Sequence, residues 1–234
     1  MSTRSMIYLN VDEKYKGIYC HCDGYIEYNG ILLYMFYDTE EKVNELIKLG
    51  SLSVLGARLG NEVDFNRRYL DNEYYNSTRG QCVAYHRDRG ENLEVVTTTR
   101  HELYYESYNY VFEKGQWWLI EDDKFIPLEK EILSVFKNIK QAELKNRMNA
   151  IMRYLTDSEK KIFNTKLKKL MQDREAVKAD YIVMEKKGDD YKVMDMKTKK
   201  MLQMKYNELW ELLQVRNKVV VRKWGNSTRR FYLD

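Results

Sequence analysis

Nine of the eleven glycines fall before residue 122, while apolar residues beyond it repeat at helical spacing over long stretches. One chain therefore joins a turn-rich front to a helix-rich back, which excludes a repeat array or a rod and points to an α+β fold. Pro127, the single proline, stands just before the helical run, where its fixed φ suits a helix start. A boundary is expected near residues 121–127, dividing the 234 residues into modules 1–122 and 123–234.

Charge divides at the same place. Residues 1–122 carry 13 Lys and Arg against 20 Asp and Glu, a net of −7, whereas residues 123–234 carry 27 against 16, a net of +11. An acidic module followed by a basic one is the expected organisation.

In the front, Ser5–Val11 and Gly17–Cys22 flank Asp12-Glu13-Lys14 as a hairpin. Helical residues follow Asn29-Gly30, and Thr39 caps a helix with Val43, Leu46 and Ile47 on one face, ended by Gly50. Residues 51–80 read as irregular. Gln81–His86 and Leu93–Thr97 read as strands, and Tyr110–Phe112 pairs with Trp117–Ile120 across Lys114-Gly115.

In the back, Leu128 to Leu155 reads as one long amphipathic helix. A capping box at Thr156–Glu159 opens a second, extending to about Lys178 with Phe163, Leu167, Leu170 and Met171 inward. Hairpins are expected at Tyr181–Glu185 with Tyr191–Met196 and at Val219–Lys223 with Arg229–Leu233, the latter turning at Gly225-Asn226. A helix over Tyr206–Leu213 separates them.

The densest polar chemistry is Cys20-His21-Cys22-Asp23-Gly24-Tyr25 and Tyr85-His86-Arg87-Asp88-Arg89-Gly90-Glu91. Each sits where a strand runs out, so His21, Asp23, His86 and Asp88 become candidate acid–base residues or Mg²⁺ ligands of a small hydrolase or nuclease. The competing reading makes Asp23-Gly24 and Asp88-Arg89-Gly90 turns, with the arginines pairing carboxylates. Strand alternation separates His21 from Cys20 and Cys22, so these three do not chelate together. Ser2 is a further candidate nucleophile if Met1 is removed. No glycine-rich phosphate loop, Gly-x-Ser-x-Gly or His-Glu-x-x-His is present, and the sequence calls for no cofactor and no metal.

Basic residues cluster at Lys161, Lys168 and Lys169, and again at Arg222, Lys223, Arg229 and Arg230, with Trp224 and Phe231 beside the last group. Such a face neutralises phosphates and stacks bases, making DNA or RNA a candidate partner; a solvated lysine face is the plainer alternative. Twenty tyrosines suit a protein-binding surface, with Tyr25, Arg87 and Arg89 as candidate contacts. Three cysteines, the absence of a leader-like start and the absence of any apolar run of roughly 18 residues place the chain in a reducing cytoplasm, with no membrane partner.

Ser2-Thr3-Arg4-Ser5, Ile18-Tyr19-Cys20-His21 with Asp23-Gly24-Tyr25, Ala84-Tyr85-His86-Arg87-Asp88-Arg89-Gly90-Glu91 and the closing Gly115-Gln116-Trp117-Trp118 hairpin together form a pattern. It resembles a family of small, functionally uncharacterised proteins of tailed bacteriophages, over residues 1 to about 120. This chain departs from the family at Cys22, where a larger residue is usual, and at Ile26, where proline is common. The resemblance implies a phage protein acting in the host cytoplasm, not a reaction. The expectation is an accessory protein, an inhibitor of a host defence or nucleic-acid-processing complex, that works by binding rather than catalysis.

Overall fold

The computed structural model describes residues 3–139, 141–178, 180–214, 220–224 and 227–231. The fold is α+β, and the chain forms two compact units, residues 1–164 and 165–234.

Unit 1 is built on a mixed sheet. β1 (Ser5–Val11) and β2 (Lys14–Cys20) form the expected hairpin, with Ser5 opposite Cys20 and both turn residues, Asp12 and Glu13, at positive φ. The loop after β2 winds through a short π-helical turn at Ile26–Gly30 into α1 (Ile31–Phe36) and α2 (Glu40–Ile47). Thr39 Oγ1 accepts from Lys42 N at the start of α2, and Val43, Leu46 and Ile47 are buried. β3 (Leu52–Val54) lies parallel to β2.

Residues 51–80, expected to be irregular, hold β3 and two short helices, α3 (Phe65–Leu70) and α4 (Asn72–Ser77). Asp64 accepts from Arg67 N and Asp71 from Glu73 N and Tyr74 N, so each helix has its own side-chain cap. Only Val83–Ala84 of the expected strand at 81–86 is extended, as β4; Tyr85–Arg89 is a helix, α5. Gly90 ends it at φ 70°, with its N–H on His86 O.

β5 (Val96–Thr98) adds to β2. β6 (Tyr108–Glu113) runs parallel to β1 and continues through hairpins into β7 (Gln116–Glu121) and β8 (Lys124–Pro127). Lys114 and Gly115 turn the first hairpin at positive φ, Asp122 and Asp123 the second. The sheet path is β4-β3-β2-β1-β6-β7-β8.

The expected boundary at 121–127 therefore falls inside this sheet, because β8 pairs with β7. α6 (Leu128–Asn138) then buries Leu128, Ile132 and Phe136 completely, each contributing about 1.5–3 kcal/mol. The single helix expected over 128–155 is two, α6 and α7 (Gln141–Met152), parted where Ile139 turns extended at ψ 141°. Asn138 and β-branched Ile139 are weaker helix formers than the Leu, Lys and Glu around them. Phe163 of α8 (Asp157–Lys178) stacks on Phe36 at 6.3 Å, bringing the start of that helix into the core of unit 1. With the boundary inside α8, unit 1 has a net charge of −4 and unit 2 of +8.

Unit 2 has its own sheet, β11-β10-β9-β12-β13. β9 (Tyr181–Lys187), β10 (Asp190–Asp195) and β11 (Met201–Lys205) are antiparallel neighbours. α9 (Tyr206–Gln214) follows, and its Leu209 packs with Val183, Tyr191 and Val193. β12 (Val220–Trp224) lies parallel to β9 and pairs antiparallel with β13 (Ser227–Phe231). Ser2 and the Gly225-Asn226 turn lie outside the described residues. Among those described, no helix is long and apolar enough to cross a membrane.

Candidate functional site

The loop 21–30 is fastened from beneath. Its backbone follows β3, with His21 N on Leu52 O at 2.9 Å and Cys22 N on Ser53 O at 3.1 Å. Gly24 is pressed onto Arg4, so that an added Cβ would lie 2.5 Å from Arg4 O. Tyr110 Oη donates to Gly24 O at 2.8 Å. Fully buried Asn29 donates through Nδ2 to Ser5 Oγ and Cys22 O. Burial pushes the Cys20 thiol up to about 12, which suits a small core residue rather than a metal ligand. Cys82 is likewise buried, against Tyr37 Oη and Gly56 N.

The four acid–base candidates divide among separate duties. His21 Nδ1 pairs with Tyr19 Oη at 2.9 Å, and Asp23 sits at φ 56° accepting from Tyr25 Oη at 3.3 Å. His86 is exposed on α5 rather than at a strand end. Because a carbonyl only accepts, its Nδ1 donates to Glu91 O at 2.7 Å, leaving Nε2 as the basic nitrogen of the neutral ring.

Asp88 is closed to chemistry. Its buried Oδ1 accepts from Val63 N at 2.9 Å and Arg87 Nε at 2.7 Å; Oδ2 accepts from Ala84 N at 2.6 Å and Arg87 Nη2 at 3.0 Å. A side chain of Asp reaching back to the amide at a helix start resembles a capping box displaced by one residue. No group of three His, Cys, Asp or Glu among the described residues is arranged to hold a metal. The hydrolase arrangement expected of His21, Asp23, His86 and Asp88 thus loses its second carboxylate.

Arg87, expected to contact a partner, is also internal. Its remaining N–H groups go to Leu59 O, Gly60 O and Cys82 O at 3.0, 3.2 and 2.7 Å, so all five donors are used within the fold. These bonds close the neck of an excursion that leaves at Arg58 and returns at Gln81, which form an isolated bridge. Ala57 N donates to Gly80 O at 2.9 Å, and Arg58 reaches Glu159 Oε2 at 3.0 Å.

Above that neck lies a stack the sequence reading passed over. Arg67 covers Tyr74 at 4.5 Å and Arg68 covers Tyr75 at 4.9 Å. Arg79 lies between Tyr75 at 5.1 Å and Tyr154 at 3.5 Å, and Arg89 covers Phe65 at 4.7 Å. Burial lowers the Arg68 pKa while its Nη1 donates to Thr78 Oγ1 at 2.8 Å. At the tip, Tyr69 is 67% exposed and Leu70 88% exposed. The seven-residue offset of Arg67 from Tyr74, and of Arg68 from Tyr75, was the available signal.

Lys161, Lys168 and Lys169 are exposed along α8. Arg222 lies opposite Arg229 in the β12–β13 ladder, Lys223 opposite Thr228 and Arg230 opposite Val221. The chain matches no protein-family model, no curated protein and no solved structure.

Proposed function

We propose that the protein acts by binding a host macromolecule, as an accessory protein of a tailed bacteriophage in the host cytoplasm, inhibiting a host defence or nucleic-acid-processing complex. The observation that carries the binding reading is Tyr69 and Leu70, 67% and 88% exposed on a platform of arginines stacked on aromatic rings. Tyrosine and arginine side chains dominate the energetics of protein interfaces, and a platform held before contact loses little entropy on docking. The phage setting rests on the resemblance of residues 1 to about 120. A catalytic reading has less support, because Asp88 and Arg87 have spent their polar groups inside the fold.

The test is affinity capture from a bacterial lysate with wild-type chain and with the Tyr69→Ala/Leu70→Ser variant, both folded. The wild type should retain one stoichiometric protein and the variant should lose it; equal capture by both, or none by either, overturns the reading. Nucleic acid remains the second reading because unit 2 carries a net charge of +8 and Lys161, Lys168 and Lys169 are exposed. Nuclease treatment of the lysate separates the two, since a complex bridged by nucleic acid disappears.

A further inference from the structure

Unit 1 contains a second feature that the docking reading does not use. A cleft of about 490 Å³ opens between the loop after β2, the start of β6 and α7, lined by Tyr25, Tyr28, Tyr108 and Ile151. Its size lies within the range of small-molecule sites. At the rim, Arg147 Nη1 donates to Glu27 Oε1 and Nη2 to Glu143 Oε1, both at 2.8 Å. Burial pushes Tyr28 up to about 12 and raises Tyr25, so these two phenols are neutral.

This lining selects among ligand classes. Aromatic walls favour a flat π-system, and a paired carboxylate and guanidinium place an acceptor beside donors on one edge. Only two of the five Arg147 N–H groups are used in the Glu27 and Glu143 bonds, so the guanidinium retains capacity for a ligand acceptor. A quaternary ammonium, the other common guest of tyrosine-lined sites, would meet the charge of Arg147 beside the carboxylate it needs. We propose that the cleft binds an unpaired, amino-bearing nucleobase, stacked on the tyrosines, with Glu27 accepting from its exocyclic amino group and Arg147 donating to the adjacent ring acceptor. Uracil presents a carbonyl where that amino group would be, and so is rejected. A free nucleotide and a single strand offer the same chemistry.

Calorimetric titration with cytidine and uridine 5′-monophosphates, and with tetracytidylate and tetrauridylate, tests this on the whole chain. Cytosine ligands should bind about tenfold or more tighter than uracil ligands. Saturation by the monophosphate identifies a free nucleotide as sufficient, and saturation by the tetranucleotide alone identifies a strand. Tyr108→Leu should weaken binding by about fivefold or more, and Tyr108→Phe, which keeps the ring, should restore it. Glu27→Gln should reduce the preference for cytosine, because an amide serves either base at the exocyclic position while Arg147 still meets the N3–H of uracil. The proposal fails if neither cytosine ligand saturates the wild type, if cytosine and uracil bind alike, or if Glu27→Gln leaves the preference undiminished in a protein with unchanged near-ultraviolet dichroism.

Discussion

The loop of residues 21–30 and the excursion of residues 59–80 draw on the same residue types, Asp, Glu, Asn, Tyr and Gly, and use them in different ways. In the loop, polar groups turn inward: Tyr110 Oη holds Gly24 O, and Asn29 is fully buried across two strands. In the excursion the neck is tied through Gly80, Arg87 and Asp88 and the short helices by their Asp caps, while the tip presents Tyr69 and Leu70 to solvent. Tyr110 and Asn29 spend those groups on fixing the loop's backbone, leaving Tyr25, Glu27 and Tyr28 of the same loop at the cleft. Rings stacked on guanidiniums are held in place while keeping an outer face available, which is why the excursion suits the docking role proposed above.

The largest effect should come from severing the neck. Asp88→Ala leaves Val63 N, Ala84 N and two Arg87 donors without their acceptor in the interior. Breaking a buried pair by removing one partner costs about 3–5 kcal/mol. Urea unfolding should show that loss, and Asp88→Ala/Arg87→Met should recover part of it by removing the stranded charge as well. A loss below about 1 kcal/mol would mean that Asp88 does not hold the neck.

This neck also marks the limit of what the sequence made legible. Local signals worked where neighbours in sequence decide the structure: the β1–β2 and β6–β7 turns, and α2 between Thr39 and Gly50. The helices α3 and α4 have six residues each, too few for an apolar stripe to repeat, so only their Asp caps announced them. Long-range pairing was invisible: β1 lies parallel to β6 across about a hundred residues, and β8 joins the sheet beyond the point where the charge changes sign. Charge describes a solvated surface, whereas Leu128, Ile132 and Phe136 decide where the core ends. At the candidate site, Arg87 and Asp88 were visible as a charged pair, but five backbone-directed and carboxylate-directed bonds on one guanidinium follow only from the crossing of two distant segments.

A second break is titration at high pH, which acts on the loop and core. Burial pushes the Cys20 thiol from 9.0 up to about 12, and holds the Tyr37 and Tyr110 phenols well above their usual 10.0. Once these groups ionise in the unfolded chain, that chain binds fewer protons than the folded one, and stability falls as pH rises. Stability from them is therefore complete below about pH 9 and declines from pH 9 toward 12, each fully buried group adding a slope of up to about 1.4 kcal/mol per pH unit. Thermal unfolding should give a plateau from pH 7 to about 8.5 and then a steady drop. Tyr110→Phe should make the drop shallower; an unchanged slope would mean that this phenol is not protected from ionisation in the folded state.

The smallest effect on stability belongs to the tip. Tyr69 and Leu70 leave most of their surface in water, and the Tyr69 ring meets that of Phe65 at 5.0 Å. Replacing them with Ala and Ser removes little buried area, so the unfolding free energy should change by no more than about 0.5 kcal/mol. A neutral result is informative because it leaves the two exposed side chains without a role in packing. A loss near 2 kcal/mol would instead assign the pair to packing and remove the ground for a docking surface, whereas unchanged stability with lost capture separates binding from folding at the same two residues.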